Sequence, residues 1–161
     1  MIFDTAFDRL MLNEGGYSNN RRDRGGETSW GISKVSYPHL NIRTLTKQAA
    51  KEIYFTDFWI KGRMDQLNSS LAFQIFDAAV NHGIKRAHKL LQRSVGITED
   101  GVIGPLTLKA IGSRSITDLL MLFIAARIHF FTSLSSEQFD EFGAGWMNRM
   151  ADNLVYAAKD S

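Results

Sequence analysis

The chain has 161 residues, 44% of them hydrophobic and 22% charged, which fits one packed domain and excludes a disordered chain. It has no cysteine, so disulfides and thiolate metal sites are excluded, and only two prolines, so long helices are permitted. The net charge is +2, but residues 61–114 carry eight Lys/Arg against four Asp/Glu and residues 115–161 carry three against six, which suits an anionic surface or ordinary surface variation rather than nucleic acid.

The first eight residues carry acids where a signal peptide would carry bases, and they lack an apolar run and a small-residue cleavage site. Phe3, Phe7, Leu10 and Met11 recur at three- and four-residue steps and predict an amphipathic helix over residues 3–13. Gly15-Gly16 ends it, which places Glu14 beside the negative end of the helix dipole, where its ionised form is disfavoured. Residues 17–36 are rich in Gly, Asn and Arg, alternate poorly, and predict a small irregular β region. Residues 46–58 predict a helix capped by Thr46, with Ile53, Tyr54 and Phe58 facing inward. Residues 69–81 are almost wholly apolar apart from Asp77, and Gly83 stops that helix. Another helix is expected over 85–95.

Asp100-Gly101-Val102-Ile103-Gly104-Pro105 reads as a turn cluster, with Pro105 starting a short helix. Residues 116–134 predict a long central helix. Its most apolar stretch, residues 119–126, is bounded by Asp118 and Arg127 and is too short to cross a membrane. Residues 145–159 predict a last helix with Trp146, Met150 and Leu154 at core spacing. The expected class is mostly α (α+β), with the β region near residues 17–36.

The candidate chemistry sits early in the chain. Cleaving a glycosidic bond asks for two carboxyls in different environments, one protonated and one ionised. Glu14 at a helix end suits the first state. Asp23 lies among Arg21, Arg22 and Arg24, which would hold it ionised. Glu27 is a second carboxylate close by. Tyr17, Trp30, Asp77 and Asn81 are candidate substrate-binding residues; Trp30 reads more readily as core of the β region. Asp77 needs a partner if buried, and either binds saccharide or caps a neighbouring helix. Asn81 and His82 end their helix and either would line a cleft. His82 and His88 are not at metal-ligand spacing, and no metal or cofactor is expected. Lys85, Lys89 and Arg93 repeat every four residues and form one basic face, either simply solvated or suited to anionic cell-envelope polymers.

Glu14, Asp23 and Thr28 resemble the Glu–Asp–Thr triad of phage-type lysozymes, with four residues between Asp and Thr where five are usual there. Glu14-Gly15-Gly16-Tyr17 followed by Asp23-Arg24-Gly25-Gly26-Glu27-Thr28-Ser29-Trp30-Gly31-Ile32 resembles more closely the N-acetylmuramidases of glycoside hydrolase family 108, many of them phage endolysins. Phe76-Asp77-Ala78-Ala79-Val80-Asn81-His82-Gly83, Leu90-Leu91-Gln92 and the Asp100-to-Thr107 run resemble the peptidoglycan-binding region that accompanies such segments.

The resemblance implies a two-lobed lysozyme-like domain over residues 1–161. Within it, 1–66 carries the catalytic motif, 67–112 resembles a peptidoglycan-binding region and 113–161 supplies closing helices. It implies a muramidase in which Glu14 is the general acid and Asp23, with Thr28, activates water on the opposite face. Glu27 ranks below Asp23 as the base because the family pattern varies there. A monomer is expected, held in the host cytoplasm until a holin-type partner releases it to the wall. A lytic transglycosylase and a non-catalytic wall-binding module remain the alternatives; neither needs Asp23 or Thr28.

Overall fold

A computed structural model describes residues 3–12, 16–19 and 26–161. Seven helices are described: α1 (Phe3–Leu12), α2 (Lys47–Tyr54), α3 (Ser69–His82), α4 (Ile84–Val95), α5 (Pro105–Gly112), α6 (Ile116–Thr132) and α7 (Ser136–Asp160). A three-stranded antiparallel sheet of β1 (Ser18–Asn19), β2 (Glu27–Ser29) and β3 (Ile32–Ser33) sits between α1 and α2 in the chain, in the order β1-β2-β3. The architecture is mostly α and lysozyme-like, with a minor β region.

Helix α3 is the axis of the packing. Residues 71–79 are buried all round it, so it behaves as a core helix rather than an amphipathic one. Asn68 caps its start by accepting from the Ser70 N–H at 3.0 Å, and Gly83, at φ 81°, takes the conformation that ends it and turns the chain into α4. Against α3 from the N-terminal side lie Phe7, Tyr54 and Trp59, whose rings meet one another or Phe76 of α3 at tilted or edge-on angles, with centroids 5.5 Å apart for Trp59–Phe76 and 5.7 Å for Phe7–Tyr54. Helices α4, α6 and α7 close the other sides.

Two elements depart from the sequence reading. The helix expected over 46–58 is regular only to Tyr54, with Thr46 capping the Ala49 N–H at 3.1 Å; Phe55–Ile60 then winds as a π-helical segment. Hydrophobic spacing runs smoothly through the inserted residue, so nothing in the periodicity marks it. The last helix begins at Ser136, well before the expected residue 145, because Ser135 caps the Gln138 N–H. Gly143 and Gly145 lie inside it; Gly143 is buried where a Cβ would meet the Phe139 ring at 2.9 Å.

Helix α7 ties the end of the chain back to its beginning. Arg9 on α1 forms a two-pronged ion pair with Asp160 and stacks over the Tyr156 ring at 4.4 Å. Ser70 donates to the Asp160 carbonyl at 2.8 Å, and Gln74 to the Asn153 carbonyl at 3.0 Å. Among the described residues no single helix is long and apolar enough to cross a membrane.

Candidate functional site

The β region is built around a two-residue hairpin. Ser29 pairs with Ile32, and the intervening Trp30 and Gly31 have φ of 53° and 75°. Both positive values suit the primed turns whose twist matches paired strands. Trp30 is a bulky residue in the left-handed region, an uncommon and strained placement. Its surroundings hold it there: the indole N–H donates to the Leu45 carbonyl at 3.0 Å, and the Tyr54 hydroxyl donates to the Trp30 carbonyl at 3.1 Å. With its ring packed against the core, Trp30 fastens the β region to the helices.

Thr28 is half-buried on β2, paired with Ser18 on one side and Ser33 on the other, and its hydroxyl donates to the Gly26 carbonyl at 3.3 Å. Tyr17 is 45% exposed and donates from its hydroxyl to Glu27 at 2.7 Å, so the second carboxylate of this region is already engaged. Glu14 and Asp23 lie outside the described residues.

Beside this sheet opens a cavity of about 440 Å³ lined by Gly31, Ile32, Ser33, Ser36 and Tyr37 from the β side and by Tyr54, Asp57, Phe58, Lys61 and Val80 from the helical side. Its size is within the range that takes small ligands. Among these lining groups the Tyr37 hydroxyl donates to Asp57 at 2.9 Å, and Lys61 pairs with the other Asp57 oxygen. The Lys61 hydrogen bond holds the Asp57 carboxyl below its ordinary range. Burial first, then the Asp57 hydrogen bond, pushes the Tyr37 hydroxyl up, so it remains a donor. Asp57 and Lys61 were not singled out from sequence. They lie on the π-helical segment and at its end, whose altered winding hides which face each residue takes.

Asp77 requires a correction. It has no exposed surface, and its oxygens accept from Arg149 at 2.8 and 2.9 Å and from Asn153 at 2.9 Å, while Arg127 pairs with it at 2.8 Å. Burial pushes its carboxyl up, but the charges of Arg127 and Arg149 outweigh that and hold it at about 2. A carboxylate so enclosed has no surface to offer a sugar; it locks α3 to α6 and α7. Asn81 is exposed and donates back to the Asp77 carbonyl at 2.7 Å. His82 is wedged edge-on against Phe130 and Phe131, with centroids at 4.9 and 5.0 Å. Burial, followed by the nearby Arg127 charge, pushes it down to about 4.

The second half carries its own cavity, about 570 Å³, lined by Gln92, Gly96, Ile97, Thr98, Asp100, Leu106, Thr107, Lys109, Ala110 and Ser113. Buried Gln92 organises the turn cluster beside it. Its amide donates to Asp100 at 2.6 Å and to the Val102 carbonyl at 3.0 Å, and its oxygen accepts the Gly101 N–H at 2.8 Å. His88 spans the Gly62 and Gly101 carbonyls at 3.0 and 3.1 Å, joining this loop to the end of the π-helical stretch. The basic face of α4 is less free than its spacing suggests: Arg93 is held by Glu99 through two bonds of 2.8 and 2.9 Å. Among the described residues no group of three His, Asp or Glu is placed to hold a metal.

Residues 7–83 match the family model described as "Glycosyl hydrolase 108", and residues 86–151 match one described as "Predicted Peptidoglycan domain". A solved structure, that of SagA from Brucella abortus, superposes with a TM-score of 0.88 at 30% sequence identity, covering 99% of this chain and 95% of that one. No curated protein matches the chain.

Proposed function

Because the chain belongs to glycosyl hydrolase family 108 and is a peptidoglycan-degrading glycosidase, we propose that the bond it hydrolyses is the β-1,4 linkage between N-acetylmuramic acid and N-acetylglucosamine. The observation that carries this reading is a cleft, taken as the place of the glycan strand, that is lined by β3, the strand paired with the one bearing Thr28. It has a volume of about 440 Å³ and lies where the β region meets the helical core, inside the segment matched to the hydrolase family. Glu14 acts as the general acid on the glycosidic oxygen. Asp23, kept ionised among Arg21, Arg22 and Arg24, activates water with the help of Thr28, which is an inverting arrangement. The biological setting we assign is phage lysis, with the enzyme made in the host cytoplasm and released to the wall by a holin-type partner.

Mass analysis of the products from purified peptidoglycan tests the reaction. Reducing ends support hydrolysis; anhydro ends would make the enzyme a lytic transglycosylase; no cleavage would leave only wall binding. Glu14→Gln should lower turnover by about 10²–10⁴-fold with the fold intact, the usual worth of a general acid. Turnover near wild type would remove Glu14 from that role. A protein crippled by Glu27→Ala but not by Asp23→Ala would move the base to Glu27.

A further inference from the structure

The cleft holds a set of hydrogen-bonding groups to which the acid, base and water-holding roles assign nothing. Asp57 and Lys61 come from the helical side, Tyr37 from the β side. An ion pair four residues apart on a surface usually contributes little. This one differs in three ways. The Tyr37 hydroxyl reaches Asp57 from twenty residues away in sequence and fixes the carboxylate's orientation. The Asp57 side chain is 28% exposed, and that exposure faces a site already lined by Ser33, Ser36, Phe58 and Val80. The backbone beneath is π-helical, with the Lys61 N–H reaching back to the Thr56 carbonyl, and Trp59 from the same segment is driven into the core. Single π turns recur at functional sites because one inserted residue re-aims the side chains around it. Gly62 keeps this turn tight: a Cβ there would lie 2.4 Å from the Phe58 carbonyl oxygen.

The hydrogen-bonding inventory narrows the ligand. Each Asp57 oxygen accepts one bond and keeps a second lone pair; the Lys61 ammonium donates once and keeps two N–H groups. The pair as a whole is neutral, so it offers an acceptor beside a donor without selecting a free anion or cation. An amide presents the complementary pair, an N–H and a C=O. In a glycan the amide at hand is the acetamido group of an amino sugar, and Phe58 and Val80 supply an apolar wall for its methyl.

We propose that Asp57 and Lys61, oriented by Tyr37, form a saccharide subsite that reads the acetamido group of an N-acetylated sugar. The inference rests on the reading above that this cleft binds the glycan strand.

The test is a calorimetric titration in the Glu14→Gln background, so that cleavage does not blur binding. The two probes are the β-1,4-linked tetramer of N-acetylglucosamine and the β-1,4-linked tetramer of glucose, which carries a hydroxyl in place of the acetamido group. The parent should prefer the acetylated tetramer by at least about tenfold, the usual worth of one hydrogen bond to a charged group. Asp57→Asn and Lys61→Met should each erase most of that preference, with the larger loss of affinity falling on the acetylated tetramer. Tyr37→Phe keeps the ring and the packing, and should lose a smaller part of the preference; it carries the test if either charge variant fails to fold. Equal binding of the two tetramers by the parent, or folded variants that retain the preference, would overturn the subsite. Failure of the underlying reading looks different: wild-type protein would leave purified peptidoglycan uncut.

Discussion

Replacing Asp77 with Asn tests the lock between α3, α6 and α7. The change keeps the shape and removes the charge. Among the described residues it leaves Arg127, which is fully buried, with no carboxylate beside it, and it takes one partner from Arg149. Breaking a buried ion pair by neutralising one member costs about 3–5 kcal/mol, because the remaining charge stays desolvated and uncompensated. An unfolding entropy of about 2.1 cal/mol/K per residue over 161 residues is about 0.34 kcal/mol/K. The melting temperature should therefore fall by roughly 9–15 °C. Calorimetric melts at pH 7 read this directly. The companion variant Asp77→Leu/Arg127→Met removes both charges from the core and should recover part of the loss, since a buried pair and its apolar replacement are often similar in stability. A melt of Asp77→Asn within about 2 °C of wild type would mean that the network does not hold the helices together, and the reasoning would fail.

His82 predicts an acid-sensitive fold. Burial holds it at about 4 against an ordinary value of about 6.5, so as the pH falls the unfolded chain takes the proton first. Its contribution to stability is full above about pH 6.5 and is lost as the pH drops toward 4. Stabilities extrapolated from urea denaturation at pH 7 and pH 5 should differ by about 1–2 kcal/mol, and His82→Gln should flatten that difference. Asp77, held at about 2 against 3.8, adds a separate loss at lower pH, between those two values. Gln92→Ala should cost about 1–3 kcal/mol in chemical denaturation, because it strands the Gly101 N–H and takes one of two donors from the Val102 carbonyl, the other being the Thr107 hydroxyl. A variant as stable as wild type would show that the turn cluster stands without it.

Periodicity made most of the helices legible. Local chemistry made their starts legible wherever a cap was written in the sequence, as at Thr46 and Pro105. The Gly-rich β region over 17–36 was readable; the left-handed Trp30 was not, because its backbone is imposed by Leu45 and Tyr54 from elsewhere in the chain. Asp77 announced itself as an acid needing a partner, yet the partners lie 50 and 72 residues further on, and Arg127 looked only like the residue ending an apolar run. The cleft triad was hidden for a similar reason. Asp57 and Lys61 carry no motif, and what joins them to Tyr37 is a π turn that leaves no trace in hydrophobic spacing.

The two matched segments, 7–83 and 86–151, look like cassettes that could be shuffled between wall-degrading enzymes. The Asp77 lock forbids it. The carboxylate belongs to the first cassette and both guanidinium partners to the second. Arg9 and Ser70 in the first are anchored on Asp160, beyond the end of the second. A chimera that imported residues 7–83 alone would bring a buried negative charge into a host lacking its counter-ions, at the several-kcal/mol cost of an unpaired buried ion. Heritable exchange must therefore carry both halves together or change positions 77, 127 and 149 in concert. Such recombinants, sorted by survival, should break outside residues 77–149.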